Sequence, residues 1–213
     1  MSEPGAEDRA VDAFLGLVAE KGYGGVTLRD VAAASGLGLA ELYGLYRDKP
    51  ALLARYLRRI DAEVLAGTAA ALDPEETARD RLFDVMMRRY DALRPQRAAM
   101  AAVRRAAQRD PMVGLAVLPA LRRSMATMLE AAGIASDGLA GALRQNGLLA
   151  VHAAVAPVFE SDETGDLSRT MAALDGRLKG AERWAQALGR YGSFARRRSP
   201  AGAPAEDGNS PPP

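Results

Sequence analysis

The sequence predicts an all-α fold: a three-helix helix-turn-helix head on a larger helical body, about nine helices in all. Three observations carry this. The apolar content, 48% of the 213 residues, is mostly Ala and Leu, both good helix formers, whereas aromatics make up only 5%. Apolar residues recur at three- and four-residue spacing in one segment after another, without the Val/Ile/Thr runs that mark strands. Between those segments stand glycines and the dipeptides Asp-Pro and Arg-Pro, where helices stop.

The head is organised around Thr27 to Lys49, TLRDVAAASGLGLAELYGLYRDK. Thr27 is placed to cap a short helix whose apolar face is Leu28, Val31 and Ala32. Ser35-Gly36 ends it, glycine supplying the left-handed conformation of a C-terminal cap. Leu37 plugs the corner, and a second helix is expected from about Leu39 to Tyr46. Asp48 caps a third, with Pro50 in its first turn, where the missing N–H does least harm. Ahead of this unit, Glu7 to Lys21 reads as a buttressing helix with Ala10, Ala13, Phe14, Leu17 and Val18 on one face. Gly22-Tyr23 terminates it, and the aromatic rings of Phe14 and Tyr23 are expected in the core. Helix, glycine turn, helix is the plan of a DNA reader.

At these residues the chain resembles the N-terminal domain of TetR-family transcriptional regulators. The resemblance rests on Phe14, Gly22-Tyr23, Thr27, Val31-Ala32, Ser35-Gly36-Leu37, Leu42-Tyr43, Tyr46, Lys49 and Leu52-Leu53, over roughly a quarter of the chain. It implies DNA binding through Thr27, Gly38 (by its backbone N–H), Tyr43, Tyr46 and Lys49 at phosphates, and through Leu39 and Ala40 at bases. It also implies a palindromic double-stranded operator, a homodimer built on the last two helices, and a small apolar ligand in the body. The sequence departs from the family on the reading helix, where Gly38, Ala40 and Leu45 replace its usual polar positions. From Leu37 to Tyr46 there is no Arg, Lys, Asn, Gln, Ser or Thr, and there is one acid, Glu41. Such side chains read base edges, so Ala40 and Leu39 are left with thymine methyl groups.

Charge adds little attraction for nucleic acid. The net charge is +1, and Met1 to Ile60 holds eight Lys/Arg against eight Asp/Glu, although Arg47 and Lys49 stand together just after the second helix. The absence of cysteine excludes disulfides, thiol catalysis and Cys-type zinc sites. His152 is the sole histidine, so no His-pair metal motif exists, and on its apolar helix it reads as a core or interface residue. Gly36-Leu37-Gly38 lacks the strand and third glycine of a phosphate loop. No cofactor, metal or enzymatic activity is expected. No stretch holds eighteen unbroken apolar residues and the N-terminus is acidic, so no membrane span and a cytoplasmic location are expected.

The expected domains are the head over 1–48, the body over 49–195 and a disordered Pro/Gly/Ser-rich tail over 196–213, whose Arg196-Arg197-Arg198 run reads as solvated. The body opens with a helix to about Leu72, stopped by Asp73-Pro74. Its stripe is Leu52, Leu53, Tyr56, Leu57, Ile60 and Val64, with Arg55, Arg58 and Arg59 on a solvated face. Glu75 to Leu93 follows, with Leu82, Phe83, Met86, Tyr90 and Leu93 inward, then Gln96 to Arg109 and Met112 to Ala132, the last kinked at Pro119. Asp137 is expected to cap a helix from Gly138 to about Phe159, ended near Pro157. Its nearly all-apolar middle implies one face on the body and one on a partner subunit. Leu167 to about Gly189 closes the body, with Leu174, Leu178, Ala181, Trp184 and Leu188 on one face. Phe83, Met86, Met125 and Met128, with Met100 and Met112, are candidates to line an adaptable apolar pocket.

A second resemblance, over Arg79 to Leu93 and Thr170 to Asp175, is to the TetR-fold accessory proteins of ubiquinone biosynthesis, which bind lipid and a partner enzyme. The two expectations are therefore a ligand-released repressor and, as the alternative, an isoprenoid carrier whose head no longer reads DNA.

Overall fold

A computed structural model of the chain describes residues 5–68 and 75–197, with 184–197 described by backbone alone. Among these residues there are nine α-helices and no strand. The head comprises α1 (Ala6–Lys21), a 3₁₀ turn at Tyr23–Gly25, α2 (Leu28–Ser35) and α3 (Leu39–Leu45). The body comprises α4 (Lys49–Ala66), α5 (Ala78–Leu93), a 3₁₀ turn at Arg94–Gln96, α6 (Arg97–Arg109), α7 (Pro111–Ala131), α8 (Gly138–Glu160) and α9 (Ser168–Arg197).

Local chemistry sets most boundaries. Asp48 accepts from the Ala51 N–H at 2.8 Å and starts α4, with Pro50 in the first turn. Thr77 caps α5 three residues later than expected, and Asp110 caps α7 by accepting from Met112. Gly133, at φ 71°, closes α7 while Ile134 donates back to the Leu129 carbonyl at 2.9 Å, a Schellman-type ending. One buried cluster then runs without interruption from Ala10 in α1 to Leu178 in α9. Within it α4 packs against α1, α5 and α7, and α6 packs against α1 and the Tyr23 turn on one side and α7 and α8 on the other. Head and body are thus joined by side-chain packing as well as by the chain.

Several expectations are corrected. Helix α4 stops at Ala66; the expected Asp73-Pro74 stop lies outside the described residues. Arg55 and Arg59 are not a solvated face. Arg55 reaches Glu7 at 2.9 Å and Arg59 reaches Asp12 at 2.7 Å, tying α4 to α1, while Arg58 remains exposed. Asp137 occupies the cap position of α8 but its side chain caps nothing. That turn is held by Glu130 accepting from the Ser136 N–H and by Gln145 donating to the Ser136 carbonyl. Gly141 lies so close to Ser136 that a Cβ would collide with its carbonyl.

Pro157 does not end α8. It sits on the exposed side, and the helix runs on to Glu160 because Phe159 is buried against the Tyr90 ring, centroids 5.0 Å apart. Within the chain only one side of α8 is covered (Leu148, Val151, Val155 and Ala156), while Leu139 and Leu143 are exposed. Helix α9 extends past Gly189 to Arg197, so Arg196 and Arg197 are helical and Arg198 lies outside the described residues. Leu174 and Leu178 are buried, Ala181 is exposed, and the Trp184 and Leu188 side chains lie outside the described set.

Between α8 and α9, Asp162 is buried and accepts from the Thr170 N–H at 2.8 Å and its hydroxyl at 2.7 Å. Burial raises its pKa, yet the hydrogen bonds from Thr164 and Thr170 outweigh this and hold it well below the usual carboxylate range. Helix α7 is the one described helix long and apolar enough to cross a membrane by length and composition. In this fold its inner face, Val117, Ala120, Met125, Met128 and Leu129, is part of the core.

Candidate functional site

Two places in the fold carry residues singled out by sequence: the outer surface of α3 and the interior of the body. The first is built by caps. The Thr27 hydroxyl accepts from the Asp30 N–H at 3.2 Å, and Asp30 accepts from the Thr27 N–H at 2.8 Å and its hydroxyl at 2.6 Å. This capping box fixes the start of α2 and holds the Asp30 carboxyl below its usual range, chiefly through the Thr27 hydroxyl. At the other end Gly36, with φ 71°, turns the chain so that Leu37 is buried and α3 can start after Gly38.

Helix α3 is pinned by Leu42, fully buried, and turns Ala40, Glu41, Tyr43, Gly44 and Leu45 outward, with Leu39 half-buried. Tyr43 is 53% exposed. The first N–H groups of α3 have no intrahelical acceptor, so the edge at Gly38, Leu39 and Ala40 presents donors to whatever approaches. Arg29 and Arg47 are exposed nearby in sequence on either side of this unit.

Three of the residues expected at phosphates are engaged within the head. Thr27 gives its only hydroxyl proton to Asp30. Tyr46 is buried, and its hydroxyl donates to the Glu7 carbonyl at 3.4 Å. Lys49 donates to the Tyr23 carbonyl at 2.7 Å and the Val26 carbonyl at 3.0 Å, and stands 4.4 Å over the Tyr23 ring. Burial lowers the Lys49 pKa, the cost of using an ammonium as an internal tie. These residues build the frame that presents α3.

The body holds a partly open cavity of about 160 Å³ between α4, α5, α6, α7 and α8. Its walls are apolar: Leu53 and Leu57 from α4, Leu93 from α5, Met100 and Val103 from α6, Val117 and Leu121 from α7, and Leu149 and Phe159 from α8. The expected pocket residues do not line it. Met86, Met125 and Met128 are fully buried in the packed core, and Phe83 is half-buried against it. The three methionines share the inward stripes of α5 and α7 with Leu93 and Leu121 but lie one to two turns along from them, where the core is filled; of the other methionines, Met100 lines the wall and Met112 is exposed.

Four polar residues also line the cavity: Arg89, Arg104, His152 and Glu160. Arg104 and Glu160 form a bidentate pair, the guanidinium Nε 2.6 Å from one carboxylate oxygen and Nη2 against the other. His152 Nδ1 lies 3.0 Å from the Tyr90 hydroxyl, the two rings stacked at 5.7 Å. Burial, helped by the Arg89 charge, lowers the His152 pKa to about 3, so the ring is neutral. Burial also raises the Tyr90 phenol. The phenol is therefore assigned as donor to Nδ1, which leaves His152 Nε2 carrying the proton.

Arg89 has no exposed surface. Its Nη1 donates to Asp61 of α4 at 2.8 Å, and the Ser124 hydroxyl donates to the same carboxylate oxygen. Its Nε and Nη2, and the buried Tyr56 hydroxyl, have no hydrogen-bond partner among the described residues. Sequence reasoning missed this group, although a signal existed. Arg89 falls within the stripe Leu82, Val85, Met86, Tyr90, Leu93, and Asp61 falls between Ile60 and Val64 on the facing helix. An opposite-charged pair placed in two apolar stripes marks a buried ion pair.

Residues 11–56 match the family model of the bacterial regulatory proteins, tetR family. In three dimensions the chain is similar to the TetR transcriptional regulator from Nitrosomonas europaea ATCC 19718, at 22% identity and a TM-score of 0.64, over 83% of this chain and 97% of that one. It is also similar to a TetR transcriptional regulator from Rhodococcus sp. RHA1, at 20% identity and a TM-score of 0.59, over 83% of this chain and 95% of that one. No curated protein matches the chain in sequence. The structural likeness speaks for the fold, and the family match speaks for the head.

Proposed function

We propose that this chain, a TetR-family DNA-binding regulator, is a homodimeric repressor that leaves a palindromic operator when a small apolar ligand enters the body cavity. The observation that carries the proposal is the double duty of α4. It starts at Lys49, inside the frame that holds α3, and about one and two turns later its Leu53 and Leu57 wall the cavity. Helix α6 repeats the arrangement, packing on α1 and the Tyr23 turn while Met100 and Val103 face the cavity. A ligand that fits better after α4 and α6 shift draws the protein toward the shifted state, and the heads move with those helices.

On DNA, the Gly38–Ala40 edge and Tyr43 meet phosphates along with Arg29 and Arg47, while Leu39 and Ala40 meet thymine methyl groups. Thr27, Tyr46 and Lys49 act by holding the frame. Two heads must sit about 34–36 Å apart to enter successive major grooves, which calls for a dimer. The open side of α8 and α9, where Gly147, Ala150, Ala173, Gly176 and Gly180 line a groove, supports dimerisation there, since small residues let helices approach closely. The cavity volume disfavours the isoprenoid alternative, because about 160 Å³ holds one ring and not a polyisoprenoid tail.

The test is selection of full-length protein against a random duplex pool at low and moderate salt. A palindrome still enriched at moderate salt is the expected result. Binding that shows no sequence preference and vanishes at moderate salt would overturn the proposal.

A further inference from the structure

We propose that the body cavity takes a neutral, single-ring ligand with one hydrogen-bond acceptor, a ketone, aldehyde or ester oxygen that receives the Nε2–H of His152. This rests on the reading that the cavity is the ligand site of the regulator, and it names the ligand's chemistry.

The wall leaves a ligand few polar atoms to meet. Of the four polar residues around the cavity, three are closed. Arg104 and Glu160 satisfy one another, both carboxylate oxygens accepting from one edge of the guanidinium. Arg89 has no exposed surface, and its unpartnered nitrogens are sealed off, so it offers no donor within reach. His152 is different. Its ring is half-buried and its Nδ1 is engaged by the Tyr90 hydroxyl at 3.0 Å. Its Nε2 has no partner among the described residues, yet it is not one of the sealed polar atoms. Among the described residues, Nε2 is therefore the polar atom of the wall that remains open to a ligand.

Tyr90 decides what that atom can do. The phenol is wholly buried and has no acceptor other than Nδ1 among the described residues, so its proton goes there. The single proton of the neutral imidazole then sits on Nε2 and makes it a donor, which calls for an acceptor on the ligand. Burial and the Arg89 charge oppose a second proton on the ring. A carboxylate entering the cavity thus finds no free cation, and an amine finds no free carboxylate; each would lose its hydration without a replacement. A pure hydrocarbon would leave the Nε2–H unpaired against apolar surface. The rest of the wall is apolar and the volume is about 160 Å³, close to that of an apolar cavity that accepts benzene, so the ligand body is about one ring. Phe159, held against Tyr90 at 5.0 Å between centroids, supplies an aromatic surface for that ring to pack on.

The experiment is calorimetric titration of the full-length protein, without DNA, with acetophenone, with ethylbenzene (the same skeleton lacking the oxygen) and with benzoate. Benzoate is expected to bind about tenfold or more weakly than acetophenone. His152→Phe is expected to weaken acetophenone about fivefold, the worth of one hydrogen bond, and to leave ethylbenzene within about twofold. If that variant does not fold, the wild-type protein decides, because His152 is the only histidine of the chain and gives a single imidazole signal by nitrogen-15 NMR. A proton on Nε2 whose signal moves with acetophenone and stays with ethylbenzene is the expected result. Benzoate binding as tightly as acetophenone, an Nε2 that carries no proton or ignores acetophenone, or no binding of any compound overturns the proposal. Acetophenone that binds with the Nε2 shift but fails to release operator DNA supports the site and counts against the repressor mechanism, so the two failures are distinguishable.

Discussion

In the head, Thr27 and Asp30 satisfy one another, Lys49 finds two carbonyls and a ring, and Tyr46 finds a carbonyl across the domain. In the body, Arg89 is wholly buried with two nitrogens unpartnered, next to a gap. The contrast is between polar groups that are satisfied and polar groups that are not. Where the chain only has to hold a shape, its polar groups are closed into local loops three or four residues long or into short cross-ties. In the body core a buried cation keeps two donors unsatisfied, at a desolvation cost that the surrounding fold must bear.

The largest expected effect attacks the body side of this contrast. Asp61→Ala strands the buried Arg89 charge and should lower stability by about 3–5 kcal/mol in urea unfolding followed by circular dichroism. Replacing both partners, Asp61→Leu with Arg89→Met, should restore most of it; a single variant costing under about 1 kcal/mol would show that the pair is not desolvated. Next comes acid. The folded state keeps His152 neutral down to about pH 3, whereas the unfolded ring takes a proton near 6.5, so between those values the unfolded state binds more protons. Stability should fall as pH is lowered through that window, at up to about 1 kcal/mol per pH unit, and His152→Asn should flatten the slope. Parallel curves for the two proteins would remove His152 from the account.

The head should give smaller effects. Thr27→Ala opens the capping box and should cost about 1 kcal/mol, seen as faster hydrogen exchange in α2. The smallest and most discriminating measurement is the salt dependence of operator binding. Arg47→Ala should reduce the slope by about 1, as loss of a phosphate contact does. Lys49→Met should weaken binding at every salt concentration and leave the slope alone, because Lys49 is tied to Tyr23 and Val26. The reverse result would return Lys49 to the phosphates.

The head was legible in the sequence because its signals are local. Thr27, Gly36 and Asp48 each act within four residues of themselves, Leu37 follows the glycine into the core, and all four take the roles their residue types imply. The limits of the reading appear where partners are distant in sequence. Arg55 and Arg59 read as solvated because their acids lie on α1, 47 or 48 residues away. Pro157 read as a stop because the burial of Phe159 against Tyr90 is not a local property. The methionines read as pocket lining because the helical stripe shows which face is inward but not where the interior is incompletely filled. The residues at the cavity belong to five helices, and only their packing brings them together.

The shared helix α4 has a further consequence. A coupling between two sites has no preferred direction, so whatever factor a ligand in the cavity takes from operator affinity, the operator must take from ligand affinity. Protein seated on its operator would then be a poorer sensor than protein in free solution, and the dose needed for release would rise with the number of operator copies. The nine residues from Lys49 to Leu57 span about 12 Å of helix, and that short rod would set the exchange rate between a small molecule's concentration and the occupancy of a promoter.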